Sequence, residues 1–173
     1  MPDATAVNVS LLILRVVLGV VFLAHGINHV FRGGKIAGTA RWFESLGMKP
    51  GVLHAWLASL TEIGAGALLV IGFLTPLAGA GVVGTMLVAW ITNHLRNGFF
   101  IFRPGEGYEY VMTLTALGLV VAGLGAGEWS VDHAAGIFEH PSMGGFLVGL
   151  VAGGGGAAAL LAVFWRPPAP KGS

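Results

Sequence analysis

The sequence predicts an all-α polytopic membrane fold: a four-helix bundle, a fifth C-terminal transmembrane helix, and a short amphipathic helix after the first span. Three observations carry this. Of 173 residues, 55% are hydrophobic and only 10% charged, whereas a soluble domain carries roughly 25% charged residues. Mean hydropathy is +0.81. The apolar residues gather into stretches near the ~20 residues that a helix needs to cross a hydrocarbon core about 30 Å thick. A net charge of +1 gives no bulk attraction to nucleic acid. Cysteine is absent, which excludes disulfides, thiolate metal sites and a thiol nucleophile. The 29 glycines follow no three-residue period, so collagen is excluded.

Five segments read as spans: residues 11–31, 52–73, 77–95, 108–124 and 144–165. The third is entered through Thr75 and Pro76, a favourable helix start. The fourth is short and needs flanking residues or local thinning to cross. The fifth is bounded by Pro141 and by Arg166, Pro167 and Pro168. Only Leu74, Thr75 and Pro76 separate spans two and three, which predicts a tight antiparallel pair. Residues 1–135 form the predicted four-helix core with its N-terminal tail, and residues 136–173 the added helix and a cytoplasmic tail. The first span lacks a basic n-region and a small-x-small cleavage site, so it is expected to be retained rather than cleaved.

Alternating spans place Arg32, Lys35, Arg41, Lys49, Arg96, Arg103, Arg166 and Lys171 on one side, eight of the nine basic residues. Arg15 lies inside span one. The opposite loop, residues 125–143, carries Glu128, Asp132 and Glu139 and no basic residue. Positive residues favour the cytoplasm, which predicts a plasma membrane protein of a bacterium or archaeon with its N-terminus outside and its C-terminus cytoplasmic. Within residues 32–50, Ile36, Ala40, Phe43 and Leu46 fall near helical spacing beside Trp42, the pattern of a helix lying at the membrane surface.

Ionisable residues at membrane depth are costly and mark candidate sites. Span one has Arg15, His25 and His29, the histidines four apart on one face. Span two has Glu62 near its midpoint, span three ends with Asn93 and His94, and span four begins with Glu106, Tyr108, Glu109 and Tyr110. At 1.5 Å per residue, His25, His29, Glu62, His94 and Glu109 share the inner half of the bundle, with Arg15 above them. A carboxylate beside imidazoles can relay protons, as quinone chemistry requires, and Trp56, Trp90, Phe99 and Phe100 offer slot walls. The structural alternative is a buried Arg15–Glu62 ion pair that fixes helix register. A metal is the weaker reading: His25, His29, Glu62 and His94 are ligand types, but no Glu-x-x-His pair and no second core carboxylate accompany them. A haem would need His25 or His29 to face His94. Gly145, Gly149 and Gly153 repeat every four residues and permit close helix packing, within the chain or against another subunit. Gly153–Gly156 has no Lys-Ser/Thr after it and is not a phosphate loop.

These residues resemble the DoxX family of small membrane proteins. The matches are LRVVLGVVFLAHG with Arg15, Gly19, Phe22, His25 and Gly26; WFESLG at residues 42–47; TEIGAGALLVIGFLTPLAG with Glu62, Gly66, Gly72 and Thr75; and Glu109 with the exit GLGAGEWSVD. In that exit Gly125, Gly127, Ser130 and Asp132 fit the family's ending. The resemblance covers about residues 11–135. His29 stands where the family often has lysine, and the fifth span lies outside the family core. The resemblance implies a four-helix core and a link to redox physiology, and it points to Arg15, His25, Glu62 and Glu109.

The expected function is an accessory subunit of a membrane redox complex, quinone-linked or in oxidant defence. Arg15, His25, His29, Glu62, Trp90, His94 and Glu109 are its candidate quinone-contacting residues. Its expected partners are the bilayer and other membrane subunits, met through Gly145, Gly149 and Gly153 or the cytoplasmic loops. The alternatives are an autonomous quinone-linked oxidoreductase and a small-solute transporter or channel. No inverted repeat supports the latter.

Overall fold

The computed structural model describes residues 3–138 and 140–168. Glu139 and Lys171, part of the charge asymmetry read above, lie outside them. The described residues are helical and form no strand, apart from one isolated bridge between Met48 and Trp165. The helices are α1 (Ala4–Phe31), α2 (Lys35–Ser45), α3 (Gly51–Ile71), α4 (Thr75–Ala89), α5 (Glu109–Leu124), α6 (Val131–Ala134), α7 (Met143–Val148) and α8 (Gly155–Phe164). A π-helical turn, Trp90–His94, and a short 3-10 turn, Leu95–Asn97, prolong α4. A second π-helical turn, Gly149–Gly154, joins α7 to α8 into one rod.

Among the described residues, Ala4–Phe31, Gly51–Ile71, Thr75–Asn97 and Met143–Phe164 are long and apolar enough to cross a membrane. Helix α5, with 16 residues, spans about 24 Å at 1.5 Å per residue and is the short fourth crossing that the sequence predicts. The first span starts earlier than residue 11, because Asp3 accepts hydrogen bonds from the Thr5 and Ala6 amides and caps α1 there.

Helix α1 packs along α3 and α4 along α5, with α3 against α4 completing a four-helix bundle. Leu18, Phe22, Leu69, Val82, Leu114 and Val121 fill its core. The α7–α8 rod leans on α4 and α5. Gly145 and Gly149 abut Ala122, and Gly153 abuts Ala80 and Val83. The glycine face thus packs within the chain, one of the two uses that the sequence leaves open. Helix α2 also differs from a helix merely lying on a surface. Its Ala40 and Phe43 are buried with Met48, Ala55 and Leu161 in a second core, because the α8 end and the segment after it close over them. Trp165 Nε1 donates to the Leu46 carbonyl at 3.0 Å and the Arg166 amide to Gly47 at 2.9 Å.

At the opposite end of the bundle, polar groups clasp the helix ends. Arg15 is only 2% exposed. Its Nη1 donates to the carbonyls of Leu69 (3.2 Å) and Val70 (2.5 Å), and its Nη2 to that of Trp129. Asp132, fully buried, accepts from the Leu74 amide at 2.7 Å and the Thr75 amide at 3.0 Å, so it caps α4 across the chain. Gly72 turns the α3 end at φ +68, with Arg15 and Ser130 packed where a side chain would stand. Arg15 therefore does not pair with Glu62. The carbonyls at the end of α3 and that of Trp129 receive its Nη1 and Nη2, its Nε stays unpartnered, and the nearby carboxylate of Asp132 offsets its charge. Both Arg15 and Glu62 nonetheless point into the bundle, as intramembrane charges must.

Replacing Asp132 with alanine strands two buried amides and removes the anion nearest Arg15. The expected loss is about 3–5 kcal/mol, measurable as a lower unfolding midpoint in detergent. An unchanged midpoint would show that the clasp is not structural.

Candidate functional site

Small residues set the site. Gly26 on α1 lets that helix lie against α3: an added Cβ would come within 2.8 Å of Ile63 and 3.0 Å of Glu62 Cβ. Gly19 and Gly66 meet in the same way one and two turns further along, each within 2.7 Å of the other's carbonyl oxygen. This close approach carries His29 onto Glu62. Their Nδ1 and Oε2 atoms are 3.3 Å apart, yet neither has a partner at hydrogen-bond geometry. Glu62 is 5% exposed, so its free oxygen is a buried acceptor that the chain itself leaves unused.

Glu62 and His29 line a cavity of about 630 Å³, well within the range of small-molecule sites. Its polar part holds His25, His29, Glu62, Asn93, His94, Glu106 and Tyr110. The Trp90–His94 π turn presents Asn93 and His94 to this region, and such turns recur at functional sites. His94 Nδ1 is bonded to the Glu106 carbonyl at 2.9 Å and its Nε2 lies 3.1 Å from Asn93 Nδ2, so that ring is held in place. His25 is exposed and its ring lies 6.4 Å from that of Tyr110, at a mouth between α1 and α5. The remaining lining runs between α3, α4 and the α7–α8 rod and is apolar apart from His54, Thr61, Thr85 and Thr92.

The cavity unites four of the seven candidates, His25, His29, Glu62 and His94. Arg15 lies at the other end of the bundle in the clasp. Trp90 stacks on Tyr108 at 5.5 Å, packed against the main core. Glu109 accepts from the Ile101 amide at 2.8 Å and secures the loop before α5. The aromatic walls also differ from expectation. Trp56 is exposed on the outer face of α3, and Phe99 and Phe100 pack on each other in an exposed loop, whereas Trp42, Phe43 and Tyr110 line the cavity. Among the described residues no three His, Cys, Asp or Glu side chains are grouped to hold a metal ion.

His54 was not among the candidates. It is 2% exposed, lines the cavity, and stands between Phe43 (6.3 Å) and Phe164 (5.1 Å) with Nε2 unpartnered. Its signal was present: His54, Ala58 and Thr61 recur at helical spacing on the face that ends at Glu62. The polar role of Asp132 was legible only as part of a motif, because its partners lie 57 and 58 residues away.

Such an arrangement defines a polytopic helical membrane protein with a buried acid–imidazole pair at the head of an apolar groove. The chain belongs to the DoxX family, whose profile matches residues 10–95. It is 30% identical over 116 residues to CatD of Bacillus subtilis (strain 168), a protein provisionally named an oxidoreductase; the match covers 67% of this chain and 81% of CatD. It is also 28% identical over 134 residues to Rv3486 of Mycobacterium tuberculosis (strain ATCC 25618 / H37Rv), named an uncharacterised membrane protein, covering 72% of this chain and 80% of that one. No solved structure matches the chain.

Substituting valine for Gly26 forces α1 away from α3 and parts His29 from Glu62. Overpacking of this kind costs about 1–3 kcal/mol, so the unfolding midpoint is expected to fall. A wild-type midpoint would contradict the close approach.

Proposed function

We propose that the protein is an accessory subunit of a membrane redox complex and that its cavity receives a quinone headgroup at the Glu62–His29 pair. One observation carries this reading: an unpartnered buried carboxylate oxygen, 3.3 Å from an imidazole nitrogen, faces a cavity that is polar at this end and apolar beyond it. A quinone, when bound, supplies two-electron, two-proton redox chemistry. The chain's residues supply the rest. Glu62 Oε2 and His29 Nδ1 can share one proton and hold it at the ligand oxygen. Tyr110 and His25 stand at the mouth towards α1 and α5, where a proton can enter. His94, fixed by Glu106 and Asn93, orients the far wall.

The oxidoreductase name of CatD supports a redox setting. The chain has no cysteine and so no thiol pair of its own, which favours electrons arriving from a partner subunit. The end bearing α2 offers the contact surface. Phe99, Phe100 and Phe102 are exposed there beside Arg96 and Arg103. With the basic excess on that side, the reading places the loops and C-terminus in the cytoplasm of a bacterial or archaeal cell.

The test is titration of the detergent-purified protein with a tail-less quinone analogue by calorimetry. Glu62→Gln is expected to weaken binding at least tenfold while the unfolding midpoint stays near that of wild type; equal affinity would reject the role. Isolation from native membranes under mild conditions is expected to bring redox subunits with it, and a protein recovered alone would count against the accessory role. A reporter enzyme fused to the C-terminus should be active only if it functions in the cytoplasm; activity of the periplasmic type would reverse the orientation.

A further inference from the structure

The apolar part of the cavity has the form of a groove, closed on one side by a helix outside the matched family region. Leu57, Ala58 and Thr61 of α3 form one side. Ala80, Gly81, Gly84 and Val88 of α4 form the floor. Ala152, Gly153, Gly156, Ala157 and Leu160 of the C-terminal rod form the other side. Small residues occur on all three helices, so the groove is narrow in side chain and open in space. The second π turn, Gly149–Gly154, lies in the wall itself.

Gly156 is the informative position. It lines the cavity, it is exposed, and a Cβ built on it would meet no atom within 4 Å. Gly153, three residues earlier, is by contrast packed against Ala80 and Val83. One glycine of the rod therefore makes a helix contact, and the other leaves room. The groove is continuous with the polar end, where Glu62, more than nine-tenths buried, presents an unpartnered oxygen, and His54, as deeply buried between Phe43 and Phe164, presents an unpartnered nitrogen to the same cavity. A small-residue groove that leads from unsatisfied buried polar atoms to the exposed Gly156 suits an amphiphile with a ring-sized polar head and one flexible apolar chain.

Resting on the quinone reading above, we infer that the groove between α3, α4 and the C-terminal rod binds the isoprenoid or alkyl tail of the same ligand, with Gly156 as the residue that admits it. The C-terminal helix is then a specificity element: it adds tail recognition to a head site made by the family core. Leucine at position 156 would project into the groove, and nothing in the fold opposes it. Leucine at Gly155 is the control, because a Cβ there also meets open space but Gly155 does not line the cavity.

The experiment uses the full chain in lipid nanodiscs. Two quinones with the same ring, one without a tail and one with a ten-carbon alkyl tail, are titrated by calorimetry, with empty nanodiscs subtracted. Wild type is expected to bind the tailed form at least tenfold more tightly. Gly156→Leu is expected to keep its affinity for the tail-less ring and to lose most of the tail's gain, leaving less than threefold. Gly155→Leu should match wild type. If the ring binds but the tail adds nothing, or if Gly156→Leu keeps the full gain at an unchanged unfolding midpoint, the tail groove is wrong and the head site stands. Equal loss in Gly155→Leu would also overturn it, since the effect would then be one of the helix and not of the groove. If neither quinone binds wild type, the head reading fails and the tail inference falls with it.

Discussion

Backbone contact between α1 and α3 is the constraint on which the remaining structure depends. Gly19, Gly26 and Gly66 remove the side chains that would hold two helices apart, and the carbonyls and flanks of one helix fill the space on the other. In a bilayer, helices gain little by hiding apolar surface from lipid, so close packing of this kind is a principal source of association. The same contact fixes the axial register of the two helices. That register places His29 at Glu62 and Arg15 at the end of α3, about 21 Å apart along α1 at 1.5 Å per residue.

The two ends of the bundle consequently do different things with buried charge. At one end the guanidinium nitrogens Nη1 and Nη2 of Arg15 and the carboxylate of Asp132 are tied into helix termini, while Arg15 Nε and Thr75 Oγ1 stay unpartnered in the packing. Arg15 collects carbonyls that a helix end leaves free, and Asp132 collects amides that a helix start leaves free. At the other end, Glu62, His29 and His54 keep unpartnered atoms facing a cavity. Buried polar atoms without partners oppose stability, and those of Glu62, His29 and His54 border a cavity with room for a group that would satisfy them, beside a π turn. The clasp gives the rigidity against which such a site can be held.

The C-terminal rod extends this division. It lies beyond the matched family region, yet it shares a core with α2 and α3 through Leu161, Met48 and Ala55. Its packing closes one side of the cavity, and its open glycine gives that side its shape. The matched region thus carries Glu62 and His29 of this chain, while a helix beyond it shapes the rest of the cavity.

The sequence by itself determined the class of fold, the crossing helices, the amphipathic α2 and the presence of a polar cluster. These follow from local properties: the length of apolar runs, helical spacing and the rarity of charge at membrane depth. The tertiary structure decided which charges meet. Arg15 and Glu62 look like partners in a sequence because opposite charges attract, but Arg15 is answered by backbone carbonyls whose positions exist only once α3 ends at Gly72. Trp90 and Glu109 are of the right type for a site and are used elsewhere, in packing and in a loop. His54 and Gly156 line the cavity because α8 folds back over α2 and α4. No local pattern records which glycine of a helix will touch its neighbour and which will face open space, since that depends on how two distant helices are rotated against each other.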